Sequence, residues 1–142
     1  VTIAAISNGI ALQSIEEMTK YATERKQFNE PIGNFQFIQK MIADGVANTS
    51  AARELAFSAA KEIDIAGDDA RMDNRAAGAK LVAGQNATQV ALDAIQVLGG
   101  YGYSREFPVE RYMRDAKLNE IGAGTNEVLR MIIAKTALKK FL

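Results

Sequence analysis

Between Ala77 and Leu98 the chain places Ala77, Leu81, Gly84, Thr88, Ala91, Ile95 and Leu98 in alternating steps of four and three. This is the repeat of about 3.5 residues that marks helices packed side by side in a bundle. Most of these side chains are small, so a neighbouring backbone can come close. A chain built round such a segment is committed to packing helix on helix.

The flanking segments read the same way. Ile3, Ile6 and Ile10 keep helical spacing beside a stripe of Ala4, Ala11, Ile15, Met18 and Ala22, predicting a first helix from the start to about Phe28. Asn29 to Asn34 reads as a loop, since Pro31 disfavours helix before it and Gly33-Asn34 suits a turn. A second helix is expected from about Asn34 to Ala66 on Phe35, Ile38, Ile42, Gly45, Thr49, Ala52, Ala56 and Ile63. Gly67 stands where a left-handed cap belongs, and Asp68 and Asp69 suit the start of the next helix.

Gly99-Gly100 end the third helix, and Tyr101 to Phe107 reads as a loop. Pro108 suits the first position of a shorter helix reaching about Glu120. Gly122-Ala123-Gly124 break it, and Thr125 or Asn126 can cap a last helix to Leu138 along Val128, Met131, Ile132 and Lys135. Lys139 and Lys140 suit its negative end. No stretch alternates long enough to predict a strand. The expected fold is all-α, an up-and-down four-helix-type bundle forming one domain over residues 1–142. Alanine and glycine on several faces suggest further packing against other subunits. Val1 already stands within an apolar stripe and has no cap before it, so the chain reads as a piece of a longer one.

Composition limits the chemistry. There is no Cys and no His, which excludes disulfides, a thiolate nucleophile, a Ser-His-Asp triad and the usual zinc or di-iron ligand sets. No metal site is expected. Lys plus Arg and Asp plus Glu are both 17, for a net charge of zero, which argues against a nucleic-acid binder driven by bulk charge. No apolar run reaches the roughly 18–20 residues of a membrane span.

Three segments stand apart from the scaffold: Glu24 to Phe28 with Gln36, Gln96 to Tyr103, and Ile121 to Glu127. Each is expected at a helix end, and helix N-termini and free loop N–H groups bind phosphates. Taken singly, each has an ordinary explanation as a solvated arginine, a helix cap or a tight turn. Their order is more specific. Glu24-Arg25-x-x-Phe28 with Pro31-Ile32 and Gln36 comes first, then Gln96-x-x-Gly99-Gly100-x-Gly102-Tyr103. Pro108-Val109-Glu110-Arg111 with Arg114-Asp115-Ala116-Lys117 follows, and Gly124-Thr125-Asn126-Glu127 comes last. This set resembles the C-terminal helical domain of the acyl-CoA dehydrogenases over essentially the whole chain.

The resemblance implies an FAD-dependent oxidoreductase that α,β-dehydrogenates a short or branched acyl-CoA, passes electrons to an electron-transfer flavoprotein, and assembles as a homotetramer or dimer. It implies that Arg25 contacts the FAD pyrophosphate of a neighbouring subunit, a suitable task for a forked, permanently charged donor. It gives Gln36 a second FAD contact and Phe28 a place near the adenine half. Gln96, Gly99 and Gly100 belong to a segment whose backbone approaches the cofactor. Thr125, Asn126 and Glu127 are implied FAD contacts, and Ala123 and Gly124 line the acyl-CoA pocket.

One departure matters. Many members carry the α-proton acceptor as a Glu just before Gly-Thr, and here that position is Ala123. No catalytic residue is therefore assigned within the chain. The turn Ile121-Gly122-Ala123-Gly124-Thr125 resembles the isovaleryl-type branch, whose Glu would fall one or two residues before Val1. The alternatives are an inactive oligomerisation module and an oxidase-type relative using oxygen. The expected compartment is the cytoplasm, with a mitochondrial matrix as the alternative.

Overall fold

The computed structural model describes residues 1–67, 74–139 and 141. Asp68, Asp69 and Lys140, read above as helix-end residues, lie outside them. The helices are α1 (Thr2–Glu24), α2 (Gln36–Ala66), α3 (Asn74–Leu98), α4 (Gly100–Tyr103), α5 (Val109–Ile121) and α6 (Asn126–Leu138). The all-α expectation holds for the body of the molecule.

The first departure follows α1. Arg25 turns extended (φ −73°, ψ 127°) and stops the helix at Glu24 rather than near Phe28. Lys26–Gln27 (β1) and Glu30–Pro31 (β2) then pair antiparallel, Lys26 with Pro31 and Gln27 with Glu30. Phe28 and Asn29 make the turn at φ 52° and 68°. Two consecutive left-handed residues are what a two-residue hairpin loop requires, because their twist matches that of the strands. Asn accepts this conformation readily, whereas Phe does so at some strain. A single 3-10 turn, Ile32–Asn34, leads into α2.

The second departure is α4, where a loop was expected. Gly99 ends α3 with φ 62°, and its N–H donates back to the Ile95 carbonyl at 2.9 Å. The chain then makes one more helical turn against the end of α3. Pro108 sits one position before α5, not on its first turn, and its carbonyl accepts from the Arg111 and Tyr112 N–H groups.

Helix α3 is the central element, packed against α1, α2, α5 and α6. Its buried face is wider than the predicted seam: Ala79, Ala83, Ala87 and Ala94 join Ala77, Gly84, Ala91 and Leu98 inside. The starts of α1 and α3 meet beside Ala123, and their ends meet beside Arg25. These two helices therefore run the same way, with α2 and α5 returning between the ends: an up-down-up-down bundle. We call the Arg25 side the upper end.

The core changes character along this axis. Toward the upper end Met18, Val90, Val97, Leu98 and Val109 pack with Ile32. Toward the lower end the core is alanine: Ala4, Ala52, Ala56, Ala59, Ala79 and Ala83. Polar ties join the helices there, from Asn119 Nδ2 to Ser7 Oγ at 3.1 Å and from Asn86 Nδ2 to Thr49 Oγ1 at 2.9 Å. Ile6 is exposed, and Ser7 and Asn8 turn inward in its place. On α6 Leu129 is the buried apolar residue, beside buried Asn126, while Val128 and Met131 of the predicted stripe face out. No helix among the described residues is long and apolar enough to cross a membrane.

Two glycines test this packing. A Cβ on Gly102 would lie 2.5 Å from the Ile95 carbonyl oxygen and 2.8 Å from its Cα. Gly102→Ala should therefore destabilise by roughly 1–3 kcal/mol, as overpacking does. On Gly78, within α3, a Cβ meets nothing within 4 Å. Gly78→Ala should stabilise by up to about 1 kcal/mol through helix propensity. Denaturant midpoints of the two variants should shift in opposite directions.

Candidate functional site

At the upper end α1 and α3 terminate side by side and leave a cleft of about 710 Å³. Arg25, Tyr21, Gly99, Gly100 and Tyr101 line it, and Glu106 is the carboxylate on its wall. Arg25 is placed by the end of α1, where its N–H still donates to the Tyr21 carbonyl at 2.9 Å. Its guanidinium is exposed and makes no ion pair among the described residues. A Cβ on Gly99 or Gly100 would meet nothing within 4 Å, so the bare Gly99-Gly100 peptide opens onto the cleft. Tyr21, Tyr101 and Phe107 form an aromatic wall with ring centroids 5.8–6.4 Å apart. A permanent cation, an unobstructed backbone and an aromatic surface together suit a phosphate-bearing ligand with a planar ring.

The structure thus brings Arg25, Gly99 and Gly100 together. Phe28, Gln36 and Gln96 lie outside the cleft lining and are exposed. Phe28 stands at the hairpin tip, its ring edge-on to Phe35 at 6.1 Å. Gln36 is the first residue of α2, and Gln96 lies in the last turn of α3.

The other predicted residues form a second region at the lower end. After α5 the backbone turns through Ala123 (φ 53°) and Gly124 (φ 92°). Thr125 caps α6, its side-chain oxygen accepting from the Val128 N–H at 3.4 Å. Glu127 is exposed in the first turn of α6, where negative charge is favoured. Its own backbone N–H and the Thr125 hydroxyl hold its carboxyl below the usual glutamate range. Asn126 is buried at 3% exposure, within reach of Lys80. Ala123 lines a smaller cavity of about 270 Å³ with Val1, Ile3, Ala77, Lys80 and Leu129. Ala123 offers no proton acceptor.

Lys80 is the residue that sequence reasoning missed. It is 5% exposed, and burial pulls its pKa below the ordinary lysine value against the opposing charges of Glu120 and Glu127. A weak signal was present: Lys80 falls three residues after Ala77 and four before Gly84, spacing as helical as that of Leu81, to which the predicted seam gave the place. Among the described residues no three acidic side chains come together to hold a metal ion.

The two regions sit at opposite ends of α1, whose 23 residues span about 34 Å at 1.5 Å per residue.

Comparison with known proteins adds the following. A family model described as acyl-CoA dehydrogenase, C-terminal domain, matches residues 1–138. The mitochondrial isovaleryl-CoA dehydrogenase of Oryza sativa subsp. japonica is 43% identical over 139 residues, covering 97% of this chain and 33% of that protein. The butyryl-CoA dehydrogenase structure from Megasphaera elsdenii superposes with a TM-score of 0.89 at 40% identity, covering 96% of this chain and 35% of that one. A chain in a structure of the electron transferring flavoprotein of Acidaminococcus fermentans matches with the same TM-score of 0.89, identity of 40% and coverage of 96% and 35%. The chain spans about a third of the length of these relatives.

The Glu127 environment fixes a pH dependence. Its folded pKa is lowered, so its contribution to stability is complete above the ordinary glutamate pKa and is lost as pH falls through the lower folded value. Carboxyl NMR titration should put its midpoint below that of a free glutamate. Glu127→Gln should lower stability slightly at neutral pH and flatten the stability loss in that acidic window, so that the two proteins converge at low pH.

Proposed function

The chain belongs to the acyl-CoA dehydrogenase family, matching its C-terminal domain, and we propose that it serves an FAD-dependent dehydrogenase of short or branched acyl-CoA thioesters. The observation that carries this reading is the cleft where Arg25 meets the bare Gly99-Gly100 peptide. Arg25 holds pyrophosphate oxygens, and the Gly99-Gly100 backbone lets the cofactor come close where a side chain would obstruct it. Phe28, Gln36 and Gln96 approach the same flavin from the rim of this end. Thr125 and Glu127, with the backbone of Asn126, contact flavin at the lower end, and Ala123 with Gly124 borders the thioester.

The 23-residue α1 between the two regions has a consequence for assembly. One flavin does not reach both regions of one chain. Each flavin is shared, with one subunit's upper end meeting the lower region of a neighbour, in a tetramer or dimer. Phe37, Phe57 and Ile65 on α2 and Met131 and Leu138 on α6 are exposed apolar residues suited to such contacts.

FAD, when bound, accepts the substrate's β-hydrogen as a hydride. The α-proton needs a carboxylate, and Ala123 supplies none, so the base is placed on a segment preceding Val1, as in the isovaleryl-like branch. The small Ala123 leaves room for a side chain arriving from there. An electron-transfer flavoprotein is the proposed acceptor, and the cytoplasm the proposed compartment, with the mitochondrial matrix as the alternative.

Anaerobic addition of isovaleryl-CoA and butyryl-CoA to the full-length flavoprotein tests the activity. Bleaching of the flavin band by either supports it, and a bound flavin that neither bleaches refutes it. Arg25→Gln should weaken FAD binding by roughly 10- to 100-fold, the equivalent of about 1.5–3 kcal/mol lost with a charge-assisted hydrogen bond. The 142-residue chain alone should self-associate through its exposed apolar faces, and sedimentation as a single monomer would count against the assembly reading.

A further inference from the structure

Lys80 stands on the buried seam of α3 at 5% exposure. Lysines are almost never buried this far without a partner for the charge. No carboxylate lies within ion-pair distance of it among the described residues. Its ammonium is satisfied otherwise. Lys80 Nζ donates to the Gly124 carbonyl at 2.7 Å, to the Glu120 carbonyl at 3.3 Å and to Asn126 Oδ1 at 3.5 Å.

All three acceptors come from one stretch of chain, distant in sequence. The Glu120 carbonyl belongs to the last turn of α5, where carbonyls lose their helical partners and the helix dipole favours a cation. The Gly124 carbonyl and the Asn126 side chain flank the turn into α6. Between these three points lies Ala123, a non-glycine residue at φ 53°. Such a residue persists only where its surroundings over-determine it. One ammonium joins the end of α5, the turn and the start of α6, and α3 anchors all three.

We propose that Lys80 is the positioning residue of this turn, fixing Ala123 and Thr125–Glu127 in the geometry the flavin and thioester require. Its functional half rests on the reading given under Proposed function. Lys80 acts through the carbonyls and the Asn126 side chain that it holds.

The test uses the full-length protein with Lys80→Met, which keeps the length of the stem and removes the donors, and Lys80→Arg, which keeps the charge. Amide hydrogen exchange across residues 122–128 should accelerate by roughly tenfold or more in Lys80→Met, while residues 97–102 stay as in the parent. The rate of flavin bleaching by acyl-CoA should fall by roughly tenfold or more with FAD retained, and Lys80→Arg should recover part of both. Unchanged exchange at 122–128, or bleaching within about twofold of the parent, overturns the proposal. If Lys80→Met does not fold, Lys80→Gln carries the same comparison. If the parent's flavin is not bleached at all, the enzymatic reading fails, and the exchange data alone decide whether Lys80 holds the turn.

Discussion

The close approach of α3 to its neighbours is the constraint on which the rest of the structure depends. Alanine and glycine at Ala77, Ala79, Ala83, Gly84, Ala87, Ala91 and Ala94 keep the neighbouring backbones near. At Gly45 on α2 an added Cβ would lie 3.2 Å from Met18 Cε, so that side too is built for contact at close range. Buried alanine gains little from the hydrophobic effect, roughly 0.8 kcal/mol per methylene-sized group. The lower half therefore draws on close dispersion contacts and on polar ties such as Ser7 with Asn119 and Thr49 with Asn86. The upper half holds the larger side chains, Met18, Val90, Leu98 and Val109. Polar ties in the lower half fix register as well, since each pairs only at one relative height of its two helices.

Both candidate regions lie where this packing ends. Both open where α1 and α3 begin or stop, the one beside Ala123 and the other beside Arg25. Each opening is shaped by backbone held at positive φ: Gly99 above, Ala123 and Gly124 below. At Gly99 this conformation is easy, and the bare peptide left behind faces the cleft. At Ala123 it is not, and the strain is held in place by the hydrogen bonds Lys80 makes on either side of it. The separation of the regions follows from the same architecture, because a bundle needs long helices and its termini are then far apart.

Much of this was legible in the sequence. The seam on α3, the cap at Thr125, the break at Gly122-Ala123-Gly124 and the stop at Gly99 are local signals, and local signals act through a few neighbouring residues. The hairpin at Lys26–Pro31 was not legible, because two-residue strands leave no alternation to detect and Phe28 is an unusual residue at φ 52°. The burial of Ser7 and Asn8 in place of Ile6 was missed because helical periodicity alone does not say which of two adjacent stripes faces α3. The meeting of Arg25 with Gly99-Gly100 depends on α1 and α3 running the same way with matched ends. That is a property of the assembled bundle and of no single segment.

Lys80 shows how the seam and the site depend on one another. A lysine can lie on a packed face only if its stem has room and its ammonium finds acceptors. The small residues Ala76, Ala77, Ala83 and Gly84 around it supply the room. At Gly84 an added Cβ would already lie 3.7 Å from the Asn119 carbonyl, so α5 passes at close range. That brings the end of α5 and the start of α6 within reach of the ammonium, and the Glu120 and Gly124 carbonyls with Asn126 Oδ1 supply its acceptors. The alanine seam, weak as a source of hydrophobic stability, is thus what allows a buried charge to organise the turn at Ala123.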